Sequence, residues 1–270
     1  MNWNQIVELV TPQIVKIETP AGHGTGFLCF YNEPHDLCGI ATAHHVIAHA
    51  DQWQQPIRIS HYESKTTTFL KESDRVIWVD ADKDSAVIIT SVGNLKLPEE
   101  PVLLFPSADR LPIGIEVAWL GYPAIAEYTL CFFSGNVSAF WEFRNAYLID
   151  GVAINGVSGG PVVYCPDTSG KGVQIVGSIS AYRANRATGE ALPGLCIAQD
   201  VSHFQAMTSH IRSLDEANRQ KAEAAAAAKA AAQTEAPPSP KTDQQQDKAK
   251  QAQPDAAKPA AADSSGGTLP

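Results

Sequence analysis

Between about residue 12 and residue 200 the chain is a succession of short β-favouring runs, and this pattern constrains the fold more than any other feature. "QIVKIET", "GTGFLCFY", "CGIATAH", "PIRISHY", "RVIWVD" and "SAVIITS" come first. After a Pro-bounded connection follow "EVAWLGYP", "TLCFFSGNVSAF", "NAYLID", "GPVVYC", "VQIVGSISAY" and "LCIAQD". Most hold roughly five to seven residues rich in Val, Ile, Thr and aromatics, with Gly, Pro, Asn or Asp between them. Only "NWNQIVELV" and "SHFQAMTSHIRSL" place apolar residues near a 3.6-residue period. A doubly wound α/β sheet needs a crossover helix between strands, and none is on offer. The expected class is all-β, built from antiparallel barrels or sandwiches.

The pattern stops near residue 213. From Ser213 onward there is no Ile, Val, Phe, Tyr, Trp, Met or Cys, and the only Leu are Leu214 and Leu269. An Ala/Glu/Lys/Gln run with high helix propensity but no apolar stripe leads into a Pro-, Gln- and Ala-rich stretch. Such a stretch buries too little to offset the entropy of folding, so a frayed helix and then a disordered tail are expected for 213–270. The tail's 7 basic and 8 acidic residues nearly cancel, so almost all of the net charge of −9 falls on residues 1–212. An acidic body without a basic stripe argues against nucleic acid as a partner.

The first twenty residues carry no basic segment before Lys16 and no long apolar run. Neither a secretory signal nor a membrane span is expected, and the reading is a cytoplasmic protein that does not engage a membrane. The five cysteines (Cys29, Cys38, Cys131, Cys165, Cys196) are scattered without C-x-x-C or Cys/His ligand spacing. They read as reduced, mostly buried small hydrophobes, with no metal site and no cofactor implied.

Chemistry concentrates at "GVSGGP", residues 156–161. Its first five residues fit G-x-S-x-G, the turn that bears the nucleophile of α/β-hydrolases, but that turn runs from a strand directly into a helix. Here Gly159, Gly160 and Pro161 lead into "VVYCPDTSGKGVQIVG", a hairpin pattern, which sets that reading aside. A serine hydroxyl needs a base within hydrogen-bond reach and a third group to orient that base. "ATAHHVI" supplies His44 and His45, and "DADKDSAVIIT" supplies Asp80, Asp82 and Asp84. The residues by themselves leave the choice within each set open.

The order His, Asp, Ser, with "TAHHV", "DSAV" and "GVSGGP", resembles the trypsin-like, chymotrypsin-fold serine peptidases. The HtrA-like branch is the most similar: "IVELVTPQIVKIET", "GHGTGFLC" and "SGNVSAF" resemble its opening helix and strand, its G-S-G-S-G-F segment and its S-G-x-V-S hairpin. The likeness covers roughly residues 3–205. It implies two antiparallel six-stranded β-barrels with short terminal helices, the first within 1–105, the second within 106–212, and the terminal helix on the second barrel ending near residue 212. It also implies the site residues. His45 precedes Val46 as the family's histidine precedes its Val or Cys, and becomes the base. Asp84 has the D-x-A-V spacing and becomes the orienting acid. Ser158 becomes the nucleophile, with the amides of Gly156 and Ser158 as the oxyanion hole. Val152 falls at the base of the specificity pocket, where trypsins carry an Asp. Ile179, Ser180, Ala181 and Tyr182 fall on the strand that pairs with substrate backbone, with Ser180 beside Asp84.

Two departures stand out. Val157 replaces the Asp or Asn before the nucleophile, which excludes activation by an ion pair with a newly cut N-terminus. No PDZ-like segment follows residue 205. The expected function is a bacterial-type serine endopeptidase acting on proteins or peptides after small or medium apolar residues. The alternatives are a catalytically weak or inactive peptide-binding, regulatory module of the same fold, and an esterase on that fold. Oligomeric state is not legible.

Overall fold

In the computed structural model of the chain, residues 2–106, 108–166, 172–185 and 192–234 are described. Residues Met1–Glu223 make one compact unit; of the second, Ala224–Pro270, only residues up to 234 are described.

Helix α1 (Trp3–Val10) opens the chain. The Asn2 side chain accepts from Gln5 N and the Gln5 side chain accepts from Asn2 N, satisfying two donors that a helix start leaves free. Ile6 and Val10 face inward and are buried. There follow β1 (Ile14–Thr19), β2 (Gly22–Tyr31), β3 (Leu37–Ala43), helix α2 (His44–Gln52), β4 (Ile57–His61), β5 (Thr67–Leu70), β6 (Arg75–Asp80) and β7 (Ser85–Ser91). These strands form one antiparallel sheet in the order β5-β4-β1-β2-β3-β7-β6. The rest are β8 (Leu103–Leu104), β9 (Glu116–Gly121), β10 (Cys131–Trp141), β11 (Ala146–Asp150), β12 (Pro161–Tyr164), β13 (Gln174–Asn185) and β14 (Leu192–Asp200), then helix α3 (Ser202–Thr234). The second sheet runs β12-β9-β10-β11-β14-β13-β8, and pairing of β12 with β13 closes six of its strands into a barrel.

The chymotrypsin-like architecture is therefore present, with refinements to the expectation of six strands each. Each sheet holds seven strands; in the second, the seventh is the two-residue β8, which pairs in parallel with β13. Among the described residues no pairing joins β5 to β6, so the first sheet is a half-barrel.

Alternation along the strands sorts side chains into three cores. Leu28, Ile40 and Ile88 fill the first sheet with Val15, Ile17, Ile57 and Ile59. Their neighbours Phe27, Ala41 and Val87 point the other way, into a cluster shared with Leu120 and Ile175 of the second sheet. Val117, Trp119, Val137, Tyr147 and Ile149 fill the second. Burial on both faces explains why "SAVIITS" and "CGIATA" lack polar alternation; each large side chain fully buried contributes about 1.5–3 kcal/mol.

The C-terminal helix departs from expectation in where it packs. The Ala-rich run, expected as a frayed helix, continues it without a break to Thr234, as strong helix formers allow once packing has nucleated the first turns. The helix packs largely on the first sheet. Phe204 meets Phe27 edge-on with centroids 5.7 Å apart, and Trp78 of β6 lies 5.1 Å from His210.

Candidate active site

Antiparallel pairing of β3 with β7 sets Ala43 opposite Ser85, so the residues flanking those two, His44–His45 and Asp84, meet at the sheet's end. Helix α2 starts at His44, and its N-cap Ala43 has no side chain to satisfy the free amides. Asp84 does that instead. Its carbonyl accepts from His44 N at 3.0 Å and its Oδ1 accepts from His45 N at 2.9 Å. Its other oxygen, Oδ2, lies 2.8 Å from His45 Nδ1 and accepts from Ser180 Oγ at 2.6 Å. One carboxylate thus caps the helix and orients the ring. Asp84 adopts φ +48°, a left-handed conformation that non-glycine residues rarely take. Its amide donates to Ala81 O, and the Lys83 amide donates to Asp80 Oδ1, which shapes the turn that holds it there.

Burial pushes the Asp84 carboxyl upward, but the hydrogen bonds from His45 and Ser180 and the nearby imidazole outweigh burial and hold it below the usual carboxylate range. An ionised carboxylate can only accept, so Nδ1 of His45 carries the proton and Nε2 is left as an acceptor. That is the tautomer a general base requires. His45 is exposed, whereas His44 is half-buried and meets Asp84 only through its backbone amide.

Ser158 sits on a tight turn between Gly156 (φ +93°) and Gly159 (φ +82°). Val157 N donates to Ile154 O and Gly160 N to Val157 O, coiling the loop. It is stapled to both sheets: Thr25 N donates to Ser158 O at 2.8 Å, Gly159 N to Ile179 O at 2.7 Å, and Ile179 N to Gly160 O at 2.9 Å. Space at the turn requires glycine. A Cβ on Gly159 would lie 2.2 Å from Thr25 O and 2.9 Å from Ala43 N, and one on Gly24 would lie 2.6 Å from Val46 and 3.1 Å from Ser158 O. The turn bearing Ser158 is therefore pressed against the residues on either side of the two histidines. Among the described residues no hydrogen bond yet joins Ser158 to His45.

Asn155 O accepts from Ala124 N at 2.6 Å. In a trans peptide the carbonyl and the following N–H point in opposite directions, so this bond turns the Gly156 amide away from Ala124. Neither Gly156 N nor Ser158 N has a backbone partner among the described residues, which leaves both free for an incoming oxygen. Val157, where an aspartate was noted as absent, is fully buried in the second core.

The expected substrate-binding residues divide. Ile179 is buried, and Ala181 is exposed on β13. The β13–β14 register shifts between Ile179 and Ala181, and Ser180 occupies this irregularity, which aims its hydroxyl at Asp84. Tyr182 pairs with Cys196 in the strand, but its side chain lies outside the described residues. Val152 is 52% exposed, with buried Ala153 beside it, and so does not form an enclosed pocket floor. Sequence reasoning missed Thr25 and His23. Thr25 Oγ1 donates to Gly156 O at 2.9 Å and accepts from Tyr122 N at 3.0 Å, and His23 packs on Gly156. Both stand in the "GHGTGF" segment that carried part of the resemblance.

No competing nucleophile arises from the buried thiols. Burial pushes Cys29, Cys38 and Cys196 up to about 12, far from thiolate at neutral pH. Among the described residues no group of His, Cys, Asp or Glu could hold a metal ion, and no helix is long and apolar enough to cross a membrane.

Comparison with known proteins gives the arrangement its family. No curated protein matches the sequence. Among solved structures, Deg5 is similar at 25% identity and TM-score 0.52, over 72% of this chain and 87% of that one. The serine endoprotease from Yersinia pestis is similar at 19% identity and TM-score 0.55, over 79% and 67%. Rv3671c from M. tuberculosis H37Rv, in an inactive mutant form, is similar at 18% identity and TM-score 0.52, over 77% and 91%. The sequence profile of the trypsin-like peptidase domain matches residues 24–173, more than half of the 270 residues. The chain thus belongs to the trypsin-like peptidases and is a serine protease by class.

Proposed function

We propose that the chain is a serine endopeptidase in which Ser158, His45 and Asp84 act as nucleophile, base and orienting acid. The observation that carries this reading is the bond from the Asp84 carboxylate to His45 Nδ1, 2.8 Å long, beside the stapled turn that presents Ser158. Ser158 Oγ attacks the carbonyl carbon of a peptide while His45 Nε2 takes its proton. The amides of Gly156 and Ser158 receive the oxyanion, at a site where each well-aimed donor contributes roughly 10²–10³ in rate. Collapse breaks the C–N bond, His45 returns the proton to the leaving amine, and water hydrolyses the acyl-enzyme by the same path. Closing the gap between Ser158 and His45 falls to substrate binding, since resting sites are commonly looser than reacting ones.

Substrate backbone would pair with β13 beyond Ile179. Pairing with β12 ends at Ser178, Gly159 and Gly160 take the free edge of Ile179, and β14 occupies only one edge of the residues that follow. Val152 is apolar and offers no carboxylate to a Lys or Arg, and with an aromatic at position 182 this favours small or medium apolar side chains before the cleaved bond. The unclosed gap is also what a peptide-binding module without turnover would share, and one measurement separates the two. A fluorophosphonate probe should label the wild-type chain at Ser158 and leave Ser158→Ala unlabelled. An unlabelled wild type defeats the enzymatic reading. In a peptide library, a preference for cleavage after Arg would defeat the specificity reading, and Val152→Asp should shift preference toward Arg.

A further inference from the structure

Val157 can form no ion pair, so the oxyanion loop must be held by something else, and a chain of polar contacts leads to it from the first sheet. The peptide between Asn155 and Gly156 is pinned to Ala124, which shares a surface segment with Tyr122, Glu127 and Tyr128. Tyr122 packs in the shared core, but beyond it the segment has little packing: Ile125 and Tyr128 are 81% and 80% exposed. Its ties are polar. His23 Nε2 lies 3.3 Å from Tyr122 O, and since a carbonyl only accepts, Nε2 carries the proton and donates. The same Nε2 would lie 2.5 Å from a Cβ on Gly156, so the ring rests directly on the oxyanion loop. Its Nδ1 lies 4.0 Å from Glu127 Oε1, too far for a hydrogen bond, and an ion pair only when both ring nitrogens are protonated. Glu127 Oε1 in turn accepts from Lys16 Nζ at 3.1 Å.

Lys16 makes the chain unusual. It is 4% exposed on β1, donates also to Glu18 Oε1 at 3.1 Å, and lies 4.3 Å from the centre of the Tyr128 ring. Arg58 completes the neutralisation, 3.2 Å from Glu18 Oε2. Burying an ammonium costs several kcal/mol unless it is paired with good geometry. Here the pairing reaches out of its own sheet to Glu127 and Tyr128, beside the loop whose amides must point at the reacting carbonyl.

We propose that His23, with Glu127 and Lys16 behind it, is a positioning residue that holds the Gly156 amide in the oxyanion hole. This rests on the reading of Ser158 as nucleophile and adds to it a device that replaces the missing ion pair. The ring donates to Tyr122 O and backs onto Gly156, Glu127 keeps the segment against His23, and Lys16 anchors Glu127 to β1. Loss of any member should misaim the oxyanion donors without touching His45 or Asp84.

The test uses the full chain, a fluorogenic peptide that it cleaves, and the rate of fluorophosphonate labelling. His23→Leu keeps the packing and removes the donor. It should lower kcat and the labelling rate by about tenfold or more, with KM within about twofold, the pattern of a lost transition-state contact. His23→Gln, whose amide nitrogen can take the place of Nε2, should restore most of that loss. Glu127→Gln should lower both rates several-fold, and its effect should be less than additive with His23→Leu. The downfield proton resonance of the His45–Asp84 hydrogen bond should persist in every variant. Glu127 is partly exposed, so Glu127→Gln decides the matter even if a His23 variant does not fold. Rates equal to wild type in His23→Leu and Glu127→Gln overturn the proposal while leaving Ser158 as nucleophile. Absence of labelling in the wild type overturns both.

Discussion

His45 and Asp84 are joined by charge-assisted hydrogen bonds between side chains, whereas Ser158 is placed almost wholly by its backbone. On the first side one carboxylate receives His45 N, His45 Nδ1 and Ser180 Oγ. On the second, Ser158 O, Gly159 N and Gly160 O bond to strand backbone, and glycines at 156 and 159 take positive φ in space that admits no Cβ. His45 is therefore aimed by electrostatics and Ser158 by sterics and packing. Substitutions at the carboxylate and imidazole should remove activity and spare stability, whereas those in the packing behind the Ser158 turn should cost stability as well.

The largest expected effect tests the first half of that contrast. Asp84→Asn retains an oxygen for the α2 amides but favours the wrong His45 tautomer. kcat should fall by about 10⁴ with little change in Tm, as in the corresponding substitution of the serine-protease triad. A comparable loss accompanied by unfolding would erase the distinction between the two sides. Val157→Asp tests the other half. It buries a carboxylate among Trp119, Val162 and Val176 without a partner, and should cost about 3–5 kcal/mol in denaturant titration. Retained stability would mean that a hidden cation faces position 157. Ser180→Ala removes one of the bonds to the carboxylate and should lower kcat about tenfold, since a hydrogen bond to a charged group contributes roughly 1.5–3 kcal/mol.

Acid gives a smaller and graded effect. Folding lowers the Asp84 pKa, so the stability it contributes is complete above about pH 4, where the unfolded carboxyl is ionised, and is lost as pH falls through the lower folded value. Below about pH 4 the wild type should lose Tm more steeply than Asp84→Asn. The smallest effect belongs to His44→Ala. His44 meets the site through its amide alone, so kcat should stay within about twofold and stability within about 0.5 kcal/mol. Loss of labelling in His44→Ala with retention in His45→Ala would reverse the assignment of the base.

Much of this was legible before any coordinates. The short β-branched and aromatic runs such as "SAVIITS" and "EVAWLG", the 3.6-residue period of "WNQIVELV" and the glycines of "GVSGGP" are local signals, because each reflects the preferences of neighbouring residues for a strand, a helix face or a turn. Spacing to Val46 and to Ala86-Val87 distinguished His45 and Asp84 from their neighbours once the resemblance was in view. Other features depended on residues far apart in sequence. Closure of the second sheet by β12 and β13, packing of α3 on Phe27 and Trp78, the exposure of Val152 and the seat of His23 on Gly156 are all of this kind. Lys16 shows the limit most sharply. As a lone lysine in an apolar strand it reads as solvent-facing, yet it is buried because Glu18 and Glu127, the latter 111 residues away, meet its charge. Sequence periodicity determines which side of a strand a residue faces, but whether that side meets water or a partner is decided only when distant segments pack.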